Sequence, residues 1–437
     1  MGALILTCIA FYNGFPLVYS DTGTYIHSGV EKIIPFDRPI TYGLFLFFFS
    51  MKTSLWFVVI IQNIITSYLI FLLFRKLELN KRYFFIGILF LTFCSSIGWY
   101  SNQLMPDFFA PIVLLAILLL LYYKFNTWNT FFISLILIFG LITHFSHMLM
   151  GSFMIVFYLF LRYIPKVNVT QYITLKRLLI VGGLVFSSWI ILPVINYSVE
   201  NKFILSKGSH VFLTAHLNDK GVLYPLLKKY CDTEKLAGCK ICEFKEELPT
   251  SIDDFIWKGD FFTEIGGWEN SKEDFDKIIS LSLRDPRFFV SNVLKSFLSG
   301  ARQLAYLNVG EGLTAYNEGS APYGQVHWRF RNELNDYLNS KQNKYNGVNL
   351  NFEFLTMIQW LVIFLSLISV VYFYSDSRVS KPAIYFLTFI LIGLLVNALC
   401  TAGLSSPYER YQSRVIWLLP LMIFCYWSDT VKDKWLK

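Results

Sequence analysis

Residues 54–74 read S-L-W-F-V-V-I-I-Q-N-I-I-T-S-Y-L-I-F-L-L-F, a stretch without a single charged side chain. The hydrocarbon core of a bilayer is about 30 Å thick, and a helix crosses it with about 20 mainly apolar residues. Arg75 and Lys76 follow the stretch directly, and basic residues of this kind are typical of the aqueous boundary of a span. This segment predicts a protein whose helices cross a membrane.

Comparable stretches recur along the whole chain. Its 437 residues are 55% hydrophobic and only 16% charged, which is typical of polytopic membrane proteins. We predict an all-α fold with about ten transmembrane helices. The strongest candidates are 54–74, 178–197, 354–374 and 383–403, and the shorter ones are 3–18, 83–99, 108–123, 130–143, 148–161 and 415–427. The run 40–50 is too short to span comfortably, so we expect it to re-enter the membrane or to lie on its outer surface.

The distribution of basic residues predicts the orientation. Lys and Arg concentrate in the cytoplasmic loops of membrane proteins. If both termini are cytoplasmic, the inner loops and tail carry fourteen Lys or Arg and the short outer loops carry five. The inner segments are then 75–82, 124–129, 162–177, 375–382 and 428–437. We expect a bacterial inner-membrane protein whose polar outer loops face the periplasm.

Two further expectations follow from the same pattern. Met1 leads into apolar sequence without a basic start or a small-x-small cleavage site, so we expect a retained first helix rather than a cleaved signal peptide. The net charge of +8 is explained by anchoring of the cytoplasmic ends. We therefore expect membrane lipids, and no nucleic acid, as partners.

A long hydrophilic insertion divides the chain into three regions. We predict an N-terminal transmembrane region at 1–197, an extracytoplasmic, mainly helical loop domain at 198–353 and a C-terminal transmembrane region at 354–437. Three of the seven cysteines, Cys231, Cys239 and Cys242, lie in the insertion. In an oxidising compartment we expect one disulfide, which joins Cys231 to Cys239 or to Cys242. The alternative is a zinc site completed by His210 or His216, although the spacing C-x7-C-x2-C lacks a regular second pair.

Two helix starts can be read within the insertion. Ser271 with Asp274 resembles a capping box, and Asp285-Pro286 resembles a cap followed by a first-turn proline. The helix after Pro286 would carry Phe288, Val293, Phe297 and Leu298 near one face. That face either lies along the membrane or packs inside the loop domain.

The short polar motifs all fall on the predicted outer side. They are S-D-T-G-T-Y (20–25), D-R-P (37–39), N-Q-L-M-P-D (102–107), H-F-S-H (144–147) and S-P-Y-E-R-Y-Q-S-R (406–414). A carboxylate at the interface can deprotonate a hydroxyl or amine acceptor, and guanidinium groups hold phosphate through paired hydrogen bonds. The combination is typical of a transferase that acts on a lipid-linked phosphate.

The candidate residues have two possible explanations. The catalytic candidates are Asp21, Asp107 and His144, and the substrate-binding candidates are Tyr25, Asp37, Arg38, His147, Glu409, Arg410 and Arg414. The competing explanation is structural. Aspartates at helix starts are common caps, histidines at a tight turn can simply close it, and arginines near span ends extend toward lipid headgroups.

The membrane plan resembles the glycosyltransferase-C superfamily. The resemblance lies in a first span that ends in an acidic outer loop, a surface stretch before the second span, many spans and a large outer region. It implies a sugar donor on a polyprenyl-phosphate or polyprenyl-diphosphate carrier, with Asp21 as the base and Asp107 as a second acidic position. Arg38-Pro39 stands where some members have a basic residue and prolines. Thr22 replaces the second acid often found in the first loop, and W-W-D-x-G is absent, which leaves the acceptor and a divalent metal open.

Three classes of function compete on this reading. The first is an inverting transferase that moves a sugar from a polyprenyl-phosphate-linked donor to a glycan, lipid or protein acceptor. The second is a transporter or flippase for a lipid-linked saccharide, and the third is a membrane acyl- or lipid-group transferase. An assembly subunit that docks a partner on the insertion is a further alternative. Transporters tend to place ionisable residues at the membrane midplane, whereas the middle of most predicted spans here is free of charge.

Overall fold

The computed structural model describes residues 1–164, 173–375 and 381–435, and their regular secondary structure is helical. The N-terminal part contains α1 (Gly2–Asn13), α2 (Thr22–Glu31), α3 (Thr41–Ser50), α4 (Trp56–Lys76), α5 (Lys81–Cys94), α6 (Ile97–Tyr100), a 3-10 turn (Pro106–Phe108), α7 (Phe109–Tyr122), α8 (Thr127–Ile142), α9 (Phe145–Leu161) and α10 (Leu175–Glu200). The predicted inner segments 162–177, 375–382 and 428–437 lie partly outside the described residues.

The insertion consists mainly of short helices. The C-terminal part of the chain contains longer ones. The insertion contains α11 (Ser209–Asp219), α12 (Leu223–Tyr230), a 3-10 turn (Lys240–Cys242), α13 (Ile252–Trp257), α14 (Phe261–Glu264), α15 (Gly267–Asn270), α16 (Lys272–Arg284), α17 (Pro286–Gln303), α18 (Ala321–Arg329), a 3-10 turn (Arg331–Glu333), α19 (Leu334–Asn339) and α20 (Lys341–Lys344). The C-terminal part contains α21 (Phe352–Ser375), α22 (Lys381–Thr401), α23 (Glu409–Ile416) and α24 (Leu418–Trp435).

Four of these helices are long and apolar enough to cross a membrane: α4, α10, α21 and residues Ile384–Thr401 of α22. They coincide with the four strongest stretches of the sequence. Five further apolar segments, of 10–17 residues, are Gly2–Asn13, Thr41–Ser50, Pro106–Tyr122, Thr127–Ile142 and Phe145–Leu161. The described fold is therefore all-helical, its four long apolar helices suggest a membrane protein, and about ten spans remains a prediction.

A polar residue inside α4 positions the loop that precedes α7. Gln62 donates from Nε2 to the carbonyls of Ser101 and Gln103, both at 2.9 Å, and its Oε1 accepts from the Tyr42 hydroxyl at 2.6 Å. A buried amide is stable only when its hydrogen bonds are made, so this side chain fixes the loop before the 3-10 turn. The charge-free stretch 54–74, whose helix is long and apolar enough to cross a membrane, thus also holds the loop at 101–103 in place.

The first loop is fixed by segments distant in sequence. Leu17 forms a parallel bridge with Gln103, in which the Leu17 amide donates to Asn102 O at 2.9 Å. Gln342 of α20 bonds both backbone groups of Val18, since its Nε2 donates to Val18 O at 2.8 Å and its Oε1 accepts from Val18 N at 3.1 Å. Three parts of the chain therefore meet immediately before Asp21.

The helices α2 and α3 pack together at two glycines. A Cβ atom at Gly29 would lie 1.9 Å from the carbonyl oxygen of Gly43, so the backbones touch where a side chain would not fit. This close contact joins the last turn of α2 to the first turn of α3, on either side of the D-R-P motif (37–39). The run 40–50 accordingly forms a separate ten-residue helix, α3, which packs against α2.

The insertion does not have a single core. Residues 211–288 enclose their own apolar core, which includes Leu227, Phe255 and Phe275. In contrast, Val326 and Tyr337 pack into the main core shared with the apolar helices. The second half of the insertion is therefore part of the surroundings of the first loop.

One of the two helix starts predicted in the insertion requires correction. The Ser271 hydroxyl donates back to Gly267 O at 2.5 Å, and Asp274 accepts from Lys240 N, so the predicted capping box is wrong. Asp285, by contrast, accepts from Arg287 N at 3.1 Å and caps α17 as predicted.

The four apolar residues predicted for one face of α17 are divided between two environments. Phe288 is buried in the core of residues 211–288. Val293, Phe297 and Leu298 are about half exposed, and so are Phe289, Val290 and Leu294. The prediction of a common face is wrong at Phe288, because this first-turn residue packs back onto the insertion while the rest of the helix leads away from it.

The structure joins Cys231 to Cys242 in a disulfide, and the Cys239 thiol is buried and free. The bond closes a loop of 11 residues, and loops of this length contribute on the order of 2–3 kcal/mol by restricting the unfolded chain. We expect Cys242→Ser to lower the unfolding temperature of the insertion, measured by limited proteolysis of the full chain during heating. Cys239→Ser is the matched control and should leave the bond in place; a Cys231–Cys239 peptide in non-reducing mass analysis would contradict the pairing.

Candidate active site

The polar motifs of the predicted outer loops come together around three arginines. Arg38 precedes α3, and Arg410 and Arg414 lie one turn apart on α23. Their nearest acids are Asp21 at the start of α2, Asp37 beside Arg38 and Asp107 in the 3-10 turn before α7. The chain thus assembles one charged cluster from residues that are up to 393 positions apart.

Asp21 lies between two of these arginines. Its Oδ2 is 3.0 Å from Arg38 Nη1 and 3.6 Å from Arg410 Nη1, and its side chain is 24% exposed. Although it heads α2, within the described chain its side chain accepts no capping bond, so the capping explanation is wrong for Asp21. Burial by itself raises the pKa of Asp21, but Arg38 and Arg410 outweigh burial and lower this pKa below its usual value. The carboxylate is therefore ionised at neutral pH.

Arg38 is oriented by its own neighbours. Its Nε donates to Asp37 Oδ2 at 2.8 Å, Nη2 contacts the same oxygen, and the guanidinium lies 5.0 Å from the centre of the Tyr25 ring. The Tyr25 side chain is buried, so its ring is held in place and makes a cation–π contact with the guanidinium. Asp37 and Tyr25 thus position Arg38 toward Asp21.

Arg410 is held between aromatic rings and retains free donors. Its guanidinium lies 4.6 Å from the centre of the Tyr19 ring and 5.2 Å from that of Tyr411. Within the described residues, its buried Nε and Nη1 make no hydrogen bond, and Nη1 lies 3.6 Å from Asp21 Oδ2 in an ion pair that an anion can replace. A buried guanidinium with unmade hydrogen bonds is costly unless a ligand completes them. Arg410 therefore offers two directed donors to an anion.

Arg414 has a different environment. It is fully buried and its Nη1 lies 3.0 Å from Oδ1 of Asp107, which is also buried. Nη2 reaches Ser146 Oγ at 3.4 Å and Asn397 Oδ1 at 3.5 Å. Asp107 is therefore used by an ion pair that ties α23 to the start of α7, rather than by a cap.

The two histidines close the turn before α9. His144 Nδ1 accepts from the Ser146 amide at 3.2 Å and from its hydroxyl at 2.8 Å, which makes His144 the cap of α9. Burial, with Arg414, Arg410 and Arg38 nearby, holds the pKa of His144 well below its usual range. His144 is therefore neutral at physiological pH. The buried His147 contacts Gly140 O through Nδ1 at 3.0 Å.

One acid of the cluster was missed from the sequence. Glu311, in N-V-G-E-G (308–312), accepts a hydrogen bond from the Arg410 amide through Oε2. Gly312 follows at φ +73°, and a Cβ there would collide with the Tyr19 ring. Glu409, predicted from sequence, lies half-buried in the first turn of α23, next to this contact. An acid flanked by glycines was the available signal, but nothing in the sequence pairs it with α23.

A metal site finds little support in these side chains. Among residues 1–164, 173–375 and 381–435, no group of three or more His, Cys, Asp and Glu is arranged to hold a metal ion. His210 Nε2 contacts Trp268 O at 3.0 Å, and His216 Nε2 contacts Ser296 Oγ at 3.1 Å. Both histidines considered for zinc are thus used in packing the insertion.

Comparison with known proteins adds no relative to this picture. No protein-family model, no curated protein and no solved structure matches the chain.

Proposed function

We propose that the protein is a membrane glycosyltransferase that moves a sugar from a polyprenyl-phosphate-linked donor to a glycan, lipid or protein acceptor. The observation that carries the proposal is the arrangement of Arg38 and Arg410 on either side of the ionised Asp21, with unfilled donors on Arg410. It combines an anion-binding pair with a carboxylate in one partly exposed position. The resemblance of the membrane plan to the glycosyltransferase-C superfamily agrees with this chemistry.

The arginines hold the phosphate of the donor in this scheme. Guanidinium groups bind phosphate oxygens through parallel hydrogen bonds and stabilise the charge that grows on the phosphate when the sugar leaves. Arg410 contributes the unfilled Nε and Nη1, and Arg38 approaches from the α3 side. Arg414 is paired with Asp107 and holds α23 against the start of α7.

Asp21 is the base in this scheme. It removes the proton of the acceptor hydroxyl or amine, the freed electron pair attacks the anomeric carbon, and the bond to the phosphate oxygen breaks with its electrons left on the carrier phosphate. A base paired with two arginines is weak. Since the incoming phosphate competes for both arginines, donor binding loosens the pairs and strengthens the base when it is needed.

A donor assay tests the function directly. Purified protein in nanodiscs is incubated with a mass-tagged polyprenyl-phosphate sugar and a mixture of envelope glycans and lipids. We expect loss of donor and appearance of free polyprenyl phosphate without a membrane potential. Translocation of intact donor across proteoliposomes without consumption would instead identify a transporter of lipid-linked saccharide.

The proposal also places the cluster on the extracytoplasmic face of a bacterial inner membrane, with both termini inside. His27 on α2 and Thr263 on α14 are exposed, so a cysteine at either position is available to reagent. In a background in which the partly exposed Cys8 and Cys94 are replaced by Ser, we expect an impermeant maleimide to label His27→Cys and Thr263→Cys in intact spheroplasts. Labelling that requires permeabilisation would reverse the orientation and the proposed side of the reaction.

A further inference from the structure

A carboxylate of the insertion, Glu311, is built into the arginine cluster. Its turn is clamped to α23, because Ser413 Oγ accepts from Asn308 N and donates to Asn308 O, both at 3.0 Å, while Asn308 Oδ1 accepts from Gly310 N. Glu311 then bonds the amide of Arg410 in the first turn of α23. The turn and the helix form one unit.

This position lets Glu311 affect Arg410 without occupying its guanidinium. Gly312 packs against Tyr19, and the Tyr19 ring covers the Arg410 guanidinium at 4.6 Å. The Glu311 carboxylate is bonded to the backbone of Arg410, while within the described structure Nε and Nη1 make no hydrogen bond and Nη1 is paired only with Asp21. The acid therefore lies beside the anion-binding group, not in its place.

The charges around Glu311 are mixed. The groups that act on it or that it acts on are Arg410 and Glu409 of α23, Asp107 before α7, Tyr100 of α6 and Tyr19 of the first loop. Burial raises the pKa of Glu311 to about 7, Arg410 opposes that rise, and Glu409 and Asp107 add to it. Near neutral pH the carboxyl is partly protonated, so an added negative charge shifts its protonation.

We propose that Glu311 is a positioning residue of the phosphate site, and that a proton binds to it when an anion binds to Arg410. This inference rests on the proposed function. The incoming phosphate repels an ionised Glu311, so the carboxyl takes up a proton, and by linkage the proton strengthens phosphate binding. Donor affinity then falls as pH rises through 7, and release of the carrier phosphate returns the proton.

The test measures binding rather than turnover. Titration calorimetry with farnesyl phosphate at pH 7, in buffers of different ionisation enthalpy, gives the number of protons taken up. We expect wild-type protein to take up a larger fraction of a proton than Glu311→Gln, whose amide still accepts the Arg410 amide proton. At pH 8 the Gln variant should bind more tightly than wild type, by up to about tenfold because pH 8 lies about one unit above the pKa of the free carboxyl, and at pH 6 the two should converge.

Controls separate the possible failures. Glu318→Gln removes an exposed acid on the same loop and should behave as wild type. Equal proton uptake and equal pH dependence in wild type and Glu311→Gln would overturn the role of Glu311 while leaving the phosphate site intact. No binding of farnesyl phosphate by wild type would overturn the site itself.

If Glu311→Gln does not fold, a second probe tests the proposal on the wild-type protein. A farnesyl sulfonate carries no titratable proton between pH 6 and 8, so any uptake by wild type belongs to the protein. Binding of this probe without proton uptake would reject the proposal.

Discussion

We expect replacement of Asp21 by Asn to lower the proposed sugar transfer by about a hundredfold or more, the loss associated with removal of a general base. Asn has the size of Asp but is neutral, so it neither removes the acceptor proton nor pairs with Arg38 and Arg410, which lie 3.0 and 3.6 Å away in the wild type. The measurement is kcat for donor consumption, together with the melting temperature of the same preparation. Because the arginines stay in place, we expect farnesyl phosphate binding to be retained.

The controls for Asp21 distinguish charge from folding. Asp232→Asn makes the same chemical change at an exposed position and should leave turnover unchanged. Asp21→Leu should also abolish transfer, and it should lower the melting temperature because it leaves two arginines beside an apolar group. An active, stable Asp21→Asn protein would remove Asp21 from the mechanism.

Arg414→Ala is expected to have the largest effect on stability. It leaves the buried Asp107 carboxylate without its partner, and breaking a buried ion pair in this way costs about 3–5 kcal/mol. We expect a loss of folded protein on size exclusion and a lower melting temperature. Arg284→Ala, at an exposed arginine of α16, should be nearly silent.

A double replacement tests whether the ion pair of Arg414 and Asp107 has a structural role. Asp107→Leu combined with Arg414→Met replaces the ion pair by apolar groups of similar volume and should recover much of the lost stability. Recovery of folding in the double variant would assign the pair to structure. If Arg414→Ala were stable but bound farnesyl phosphate weakly, Arg414 would instead belong to the phosphate site.

The helices were predictable where one physical property dominates. Hydropathy located α4, α10, α21 and α22 to within about three residues, because a span needs a long apolar stretch whatever its neighbours are. Asp285-Pro286 was also reliable, because a cap followed by proline acts locally. Ser271 was not, because its hydroxyl had a competing acceptor in Gly267, which the capping pattern does not consider.

The cluster was predictable in composition but not in pairing. Outer-loop placement brought Asp21, Arg38 and Arg410 into one list, since loops on the same side of a membrane can meet. It did not indicate that Asp107 takes Arg414, or that Glu311 of the insertion reaches α23. These pairings join residues 307 and 99 positions apart, and no local pattern encodes them.

The two hydrogen bonds between the Gln342 side chain and the Val18 backbone have a consequence for folding during synthesis. The first loop leaves the ribosome early, yet both backbone groups of Val18 bond a side chain that is translated more than three hundred residues later. Arg410, one of the two cations beside Asp21, is translated later still. The unfinished chain therefore has Asp21 with Arg38 but without Arg410, and the complete charged cluster forms only when synthesis is nearly finished.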